Sequence, residues 1–436
     1  MSSLALILID VILLVIFLML SLPLPVCFAG ALLFLSLFGD VSMKTMLIWV
    51  FSQSTGTVLL ASPLFILAGT YMGGSGIAKR LLDFADSIIG HIKSGLGVVS
   101  IVVCAIIGAI SGSGFTGVAA TGPIMIPRMV EQGYPRGYAT ALATVSSVLG
   151  LLIPPSVVMV MFGWVTETSI AACFLSTLGS GLLITLLFCI IHVIWSRKFD
   201  LKVTEKKPFI PYMKNICGST FRAIPALIMP LIILGGIYGG VFTATEAAAV
   251  AAIYAIPVGL WIYRACKVKD FLRMTKEACS TIGSIMVMII CCLMLSRVFT
   301  VYRVPEMVLS LLTSISSNKY VLMIIIDLFL FFVGMIVNDT TGVLICAPLL
   351  MPVITQLGIH PIHFAAIMGV NLAMGGVTPP YASILYLGMR IGKAEFHEIF
   401  RPTMTFLLLG YVPVVFLVTF LPELALAIPR ICGMPL

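Results

Sequence analysis

Two short polar stretches interrupt an otherwise apolar chain, and their residue types suit the binding of small ions. The first is Ser111-Gly112-Ser113-Gly114-Phe115-Thr116, inside GAISGSGFTGVAATGP (108–123). The second is Asn338-Asp339-Thr340-Thr341-Gly342. Ser111, Ser113, Thr116, Asn338 and Thr341 supply uncharged donors and acceptors, and Asp339 adds a carboxylate. The glycines let the backbone turn sharply and let a ligand approach the amides. A helix starting near Thr116 aims its free N–H groups and positive dipole end at the turn, and the helix before it ends there in exposed carbonyls. One tip can thus serve an anion and a cation together. Two further stretches free backbone carbonyls: Gly150-Leu151-Leu152-Ile153-Pro154-Pro155-Ser156 and Gly375-Gly376-Val377-Thr378-Pro379-Pro380. Paired prolines remove two amide donors and push the preceding residue out of helical geometry. The orphaned carbonyls must find water, protein or a cation.

Gly112, Gly114 and Gly117 also spell G-x-G-x-x-G. A dinucleotide-binding turn needs a strand before it and an acidic residue about 20 positions later. Here the preceding run, 95–110, is apolar and of helical length, and the next acid is Glu131. The context excludes that reading and leaves the tip of a re-entrant helical hairpin. Ala119, Ala120 and Gly122, just beyond, read as small residues for close helix packing.

The elements around these stretches follow from composition. Of 436 residues, 60% are hydrophobic and 10% charged, against about 25% charged in soluble domains. Such a chain faces lipid, where only helices and closed barrels satisfy the backbone. Barrel strands alternate apolar and polar residues, whereas the runs here are continuously apolar. The fold class is therefore an all-α polytopic membrane protein. Apolar runs lie at about 4–21, 24–38, 56–73, 95–111, 116–130, 136–165 and 169–196, and again at about 223–240, 244–264, 278–302, 319–337, 340–356, 362–388 and 402–421. The run 4–20 has no basic leader and carries Asp10 in its middle, so it reads as a first span and not a signal peptide. The net charge of +8 sits in short clusters between spans, the pattern of topology signals, and does not indicate nucleic-acid binding. The eleven cysteines contain no C-x-x-C pair and read as small buried hydrophobes.

The two halves repeat. Pro123 and Pro348, Pro127 and Pro352, Gly133 and Gly358, Gly150 and Gly375, and Pro154 and Pro379 each differ by 225 positions, as do Thr116-Gly117 and Thr341-Gly342. Glycine and proline constrain the backbone most strongly, so this register marks a duplicated unit. The expected division is a first repeat over 1–196, a basic cytoplasmic linker over 197–222 and a second repeat over 223–436. Each repeat holds a hairpin (about 95–131 and 319–356) and a broken helix (about 136–165 and 362–388). Lys and Arg cluster at 197–222 and 264–276, and Lys79, Arg80, Lys93, Arg128 and Arg136 gather around the base of the first hairpin. These set the cytoplasmic side. The second hairpin then enters from the opposite side, the repeats are inverted, and both chain ends are extracytoplasmic. Inverted repeats place binding sites near the midplane, where helices stop and restart.

At these residues the sequence resembles the large membrane subunit of tripartite ATP-independent periplasmic (TRAP) transporters, the DctM type. The matching residues are Ser111-Gly112-Ser113, Pro127, Gly133-Tyr134, Gly150 and Ile153-Pro154-Pro155-Ser156. Upstream Pro63-Leu64-Phe65, Gly69, Gly76 and Arg80-Leu81 also match, as do Asn338, Thr341, Pro348, Pro352 and Pro379-Pro380 downstream. The hairpin layout is also similar to that of divalent anion/sodium symporters. The resemblance implies an elevator-type transporter of about ten transmembrane helices plus two re-entrant hairpins, driven by sodium, with two or more ions transported, and importing a carboxylate-bearing organic acid. Sialic acid, C4-dicarboxylates, keto acids and sugar acids all fit. It implies a small four-helix membrane subunit (DctQ type) as a separate polypeptide and a soluble extracytoplasmic binding protein (DctP type) as partners. The expected place is the inner (plasma) membrane of a bacterium or archaeon. Alternatives are a stand-alone sodium-coupled anion symporter and a sodium/proton exchanger with Asp339 as carrier group.

On this reading sodium is held by Ser111, Gly112 and Ser113 with Gly150 and Pro154, and by Asn338, Asp339, Thr341 and Gly342 with Gly375, Gly376 and Thr378. The substrate carboxylate sits between the tips, with Ser111, Ser113, Thr116, Ser156, Asn338, Thr341, Thr378 and Pro379 as contacts. The spans at 4–38, 169–196, 223–264 and 402–421 are expected to form a scaffold for a mobile part holding both hairpins and both broken helices. Of the other ionisable residues, Asp10 reads as a contact with a partner helix, Asp327 as a partner for Lys319 or the small subunit, and Glu246 as a helix-start residue. His192, His360, His363 and His397 lie at segment ends without a ligand constellation. No H-E-x-x-H, G-x-S-x-G or Walker A spelling occurs, so the chain reads as a carrier and not an enzyme.

Overall fold

A computed structural model of the protein describes residues 3–20, 22–90, 94–202, 209–379 and 382–434, with side chains at 3, 4, 19, 109 and 209–215 left outside that description. Pro380, the last residue of the second proline pair, and the lysines at 93, 206 and 207 fall outside it.

The described residues form helices and no strand. In chain order they are α1 (Ser3–Met19), α2 (Leu24–Phe38), α3 (Met43–Ser54), α4 (Ala61–Gly74), α5 (Ile77–Ile89), α6 (Gly95–Ser111), α7 (Gly114–Gln132), α8 (Arg136–Ser147), α9 (Leu149–Leu152), α10 (Val157–Val165) and α11 (Ile170–Ser196). The second part of the chain adds α12 (Phe209–Tyr238), α13 (Ala244–Pro257), α14 (Val268–Val301), α15 (Val304–Ile315), α16 (Lys319–Ile336), α17 (Asp339–Gln356), α18 (Pro361–Gly375), α19 (Ser383–Gly392), α20 (Phe396–Phe406), α21 (Val412–Phe420) and α22 (Pro422–Ile431). Local chemistry sets many of these limits. Thr243 and Glu246 form a reciprocal capping box at the start of α13, as expected for Glu246. Gly133, at φ +108°, ends α7, and Pro135 starts α8. Nine helical segments among the described residues are long and apolar enough to cross a membrane. The first arm of the first hairpin, α6, is shorter and is not among them.

Matching elements recur at the spacing found in the sequence. Helices α7 and α17 start 225 residues apart (339 − 114), as do α8 and α18 (361 − 136). In each half, two helices joined by a two-residue turn precede a helix that breaks, at Leu152 in the first half and at Gly375 in the second, and restarts beyond the prolines at Val157 and Ser383.

The helix contacts sort most of the chain into two groups in extensive contact, an outer and an inner body. In the outer one, α13 lies on α4, α12 on α5, α14 on α2, α3 and α4, and α1 on α2. In the inner one, α7 packs on α6, α8 and α19, α16 and α17 on α18, and α20 on α8. The seam between them runs where α5 and α4 meet α6, and where α14 and α15 meet α17.

The expected scaffold is regrouped by this packing. Helices α11 and α20–α21, which cover 169–196 and 402–421, belong to the inner body. Helix α11 lies on α6, α9, α10, α18 and α22. The cause is a face of small and polar residues on α11: Ser176, Thr177, Ser180 and Gly181 are all buried. At Gly181 a Cβ would lie 2.9 Å from Ile153, at the first helix break. On the other side, Tyr411 donates to the Val370 carbonyl (2.9 Å), joining the π-turn before α21 to α18. The stretch 197–222 is also not all linker, because α12 starts at Phe209.

Candidate functional site

The first tip is a two-residue turn. Gly112 takes φ +64°, donates its N–H to the Gly108 carbonyl and so ends α6. A side chain is strained in this left-handed region, which explains glycine there. Ser113 is extended (φ −143°) and α7 starts at once, with no side chain capping its N terminus. The first-turn N–H groups of α7 therefore remain open to a ligand. Ser111 Oγ donates to the carbonyls of Gly108 and Ser113 (3.3 and 3.4 Å). The Gly112 carbonyl accepts from Val157 N–H (3.4 Å), tying the tip to the restart of the broken helix.

The second tip is also a two-residue turn, but Val337 and Asn338 are both extended (φ −118° and −63°) and its chemistry differs. Asn338 Oδ1 and Asp339 Oδ1 both accept from the Thr340 N–H, each at 2.9 Å. The N terminus of α17 is thus capped by its own side chains and carries a carboxylate. Thr341 is buried and its hydroxyl donates to Met288 Sδ on α14 (2.8 Å).

Each hairpin is held to its broken helix by a backbone contact between glycines. Gly108 on α6 meets Gly150 on α9, and Gly334 on α16 meets Gly375 at the end of α18. A Cβ at Gly108, Gly150 or Gly375 would collide with the opposite backbone, which cannot move aside as a flexible side chain can, whereas one at Gly334 would lie 3.1 Å from Leu372 and 3.3 Å from Gly375. Gly150 and Gly375 thus act by close approach. Their partners Gly108 and Gly334 escaped the sequence reading.

Between the tips lies a cavity of about 620 Å³. Ser111, Gly112, Ser113, Thr116, Asn338 and Asp339 line it, so the structure brings both predicted tips to one space. The opposite wall comes from the outer body: Gly69, Thr70 and Gly73 on α4, and Thr281, Ile285 and Met288 on α14. Sequence reasoning missed this wall. Its signal is slight, isolated hydroxyls in apolar runs. Ala119 and Ala120, expected to serve packing, also border the cavity. Asp339 is the one ionisable side chain among the described lining residues.

The remaining predicted site residues lie outside that lining. Gly150 and Gly375 are occupied by the glycine contacts, and Gly342 packs on Leu372. Thr378 donates to the Met374 carbonyl (2.8 Å). Gly376, Pro154 and Pro379 form the breaks themselves. Ser156 is buried with a hydroxyl that has no partner, as is Ser146 on α8.

Two polar residues, Asp327 and Asp10, depart from expectation, and His192 is engaged within the chain. Asp327 on α16 is buried and accepts from Asn371 Nδ2 (2.9 Å) on α18 and Thr419 Oγ1 (2.8 Å) on α21. It does not pair with Lys319, whose Nζ donates to the Gly358 carbonyl (3.3 Å). A carboxylate mid-helix is reached by neighbours on adjacent helices, and Lys319 sits two turns away at the helix start. Asp10 is enclosed by this chain's own helices and presents no surface to a partner. His192 is buried at the base of the first hairpin, with Tyr138 Oη at 2.9 Å from Nδ1 and the Ser94 carbonyl at 3.0 Å from Nε2.

The profile of the "Tripartite ATP-independent periplasmic transporter, DctM component" matches residues 11–424. The chain belongs to this family. A C4-dicarboxylate TRAP transporter large permease protein, DctM, of Pseudomonas aeruginosa is 34% identical over 93% of this chain and 94% of its own. The sialic acid TRAP transporter large permease protein SiaM of Vibrio cholerae is 32% identical over 86% of each chain. The crystal structure of the YdaH transporter of Alcanivorax borkumensis shares the fold, with a TM-score of 0.58 at 14% identity, covering 87% of this chain and 90% of that one. The chain is accordingly the large permease component of a TRAP transporter, a multi-pass protein of the inner membrane and not an enzyme.

Proposed function

We propose that this DctM-family chain carries a carboxylate-bearing organic acid inward together with sodium, with the cavity between the two tips as the transported site. The observation that carries this reading is the position of that cavity. It lies at the seam of the two bodies, lined by both tips on one side and by α4 and α14 on the other. A site there changes its exposure when the inner body slides along the outer one, as an elevator. The repeats are inverted and the hairpins re-entrant on this reading, so the tips meet near the midplane from opposite faces.

The tips divide the chemistry. The uncapped start of α7, with Ser113 and Thr116, suits the carboxylate. Asn338 and Asp339, with carbonyls of the second break, suit a sodium ion, and Ser111–Ser113 with the Gly150–Pro154 carbonyls suit another. No Lys, Arg or His lines the described cavity wall, so a bound anion gains its countercharge from co-transported sodium. That dependence is the physical basis of coupling. C4-dicarboxylate and sialic acid are named for two relatives, and both are carboxylates. A four-helix small subunit and a soluble binding protein would complete the transporter.

The test is uptake of labelled organic acids into proteoliposomes holding this chain and the small subunit, with and without the binding protein and an inward sodium gradient. Uptake requiring both is expected. Sodium flux with no organic acid moving would indicate the exchanger, and uptake indifferent to the binding protein a stand-alone symporter.

A further inference from the structure

At the end of the second hairpin away from its tip lies a second cavity, of about 290 Å³. Lys319, Tyr320, His360, His363 and Thr419 line it, with the Gly358–Ile359 turn and Pro422. Three helices start at its rim: α16 at Lys319, α18 at Pro361 and α22 at Pro422. Each is at least ten residues long, and each turns its positive dipole end toward the same space. Lys319 Nζ spends one N–H on the Gly358 carbonyl, leaving two free. His360 Nδ1 accepts from the Ile362 N–H (3.2 Å), so its proton sits on Nε2, which has no partner among the described residues. Burial, then the charge of Arg430, holds the His360 imidazole below its ordinary range. The acids nearby are already engaged. Glu423 is paired with Arg430 (2.8 and 3.0 Å), and Asp327 lies beneath Thr419 in its own network.

We propose that this cavity is a carboxylate-binding site, with Lys319 Nζ and His360 Nε2–H as its donors. One free cation flanked by neutral donors and helix N termini matches a single negative charge better than a phosphate dianion. The carboxylate can belong to the free organic acid or to an acidic side chain of the binding protein, and the two sources are separable. The site has a route to the transport machinery. Thr419 lines it and donates to Asp327, which accepts from Asn371. Asn371 stands four residues before Gly375, where the second helix breaks. The site itself does not depend on the transport reading, because its test needs no uptake.

That test is NMR of the histidine-labelled chain in nanodiscs, titrated with sodium acetate, with sodium chloride at equal ionic strength, and with inorganic phosphate. The His360 signal is assigned by its loss in His360→Asn, which keeps the helix cap. Acetate should shift that signal saturably and chloride should not. Lys319→Gln should weaken the apparent affinity about tenfold, the loss of one charge-assisted hydrogen bond. An unmoved His192 signal, from the buried base of the first hairpin, reports that the variant is folded. Displacement of acetate by added binding protein assigns the carboxylate to that partner, and no displacement assigns it to the free acid; either result upholds the site. A shift linear in acetate, one matched by chloride, one unchanged in Lys319→Gln, or tighter binding of phosphate overturns it.

Discussion

The two hairpin tips occupy matching positions and do opposite things with their helix N termini. At Ser113 the N terminus of α7 is left open. At Asn338 and Asp339 two side-chain oxygens take the Thr340 N–H of the α17 N terminus. Each half keeps a glycine–glycine contact, while the backbone of the turn and its side chains differ. The difference teaches that a repeat fixes where a site lies and leaves open what it binds. On the proposed function, one tip keeps donors for an anion, and the other supplies acceptors and a negative charge for a cation.

The shared part of the comparison is tested by the largest expected effect. Gly150→Ala and Gly375→Ala should each destabilise the protein by about 3 kcal/mol, the upper end of typical overpacking costs, read as a lowered thermal midpoint and lost uptake. Tolerance of one and not the other would break the equivalence of the halves.

The next effect separates the halves. Asn371 and Ser146 stand 225 positions apart (371 − 146). Asn371 donates to Asp327 and to the Ile367 carbonyl, whereas the Ser146 hydroxyl has no partner. Asn371→Ala leaves a buried carboxylate short of a donor and should cost about 2 kcal/mol. Ser146→Ala should cost under about 0.5 kcal/mol, because no bond is lost. Denaturation in detergent measures both, and equal costs would contradict the asymmetry.

The smallest effect concerns the caps. Asn338→Ala removes one of the two acceptors on the Thr340 N–H and, with Asp339→Ala, should cost about 1 kcal/mol. Ser113→Ala removes no cap bond and should leave stability unchanged within about 0.3 kcal/mol. The same thermal measurement resolves the pair.

The tips and breaks were legible in the sequence because glycine and proline write backbone geometry directly, and Gly112, Pro154 and Pro379 stand where the chain turns or breaks. What packs against a break was not legible. Gly108, Thr70 and Thr281 sit in apolar runs whose periodicity is uniform in a lipid-facing helix, so nothing marks the face that meets another helix. The same uniformity misassigned α11, whose small face is set by Ser176, Thr177, Ser180 and Gly181. Asp327 was seen as an ionisable residue, but its partners lie 44 and 92 positions away, beyond any local pattern.

The division of labour between the tips is tested most directly by initial rates of organic-acid uptake, with sodium and substrate varied in turn, for Asp339→Asn and Thr116→Ala. Asp339→Asn should raise the sodium concentration for half-maximal rate about tenfold, equivalent to one lost charged contact, with little change in KM for the acid. Thr116→Ala should raise KM severalfold and leave the sodium dependence in place. The opposite assignment, or the same change in both variants, would contradict the account.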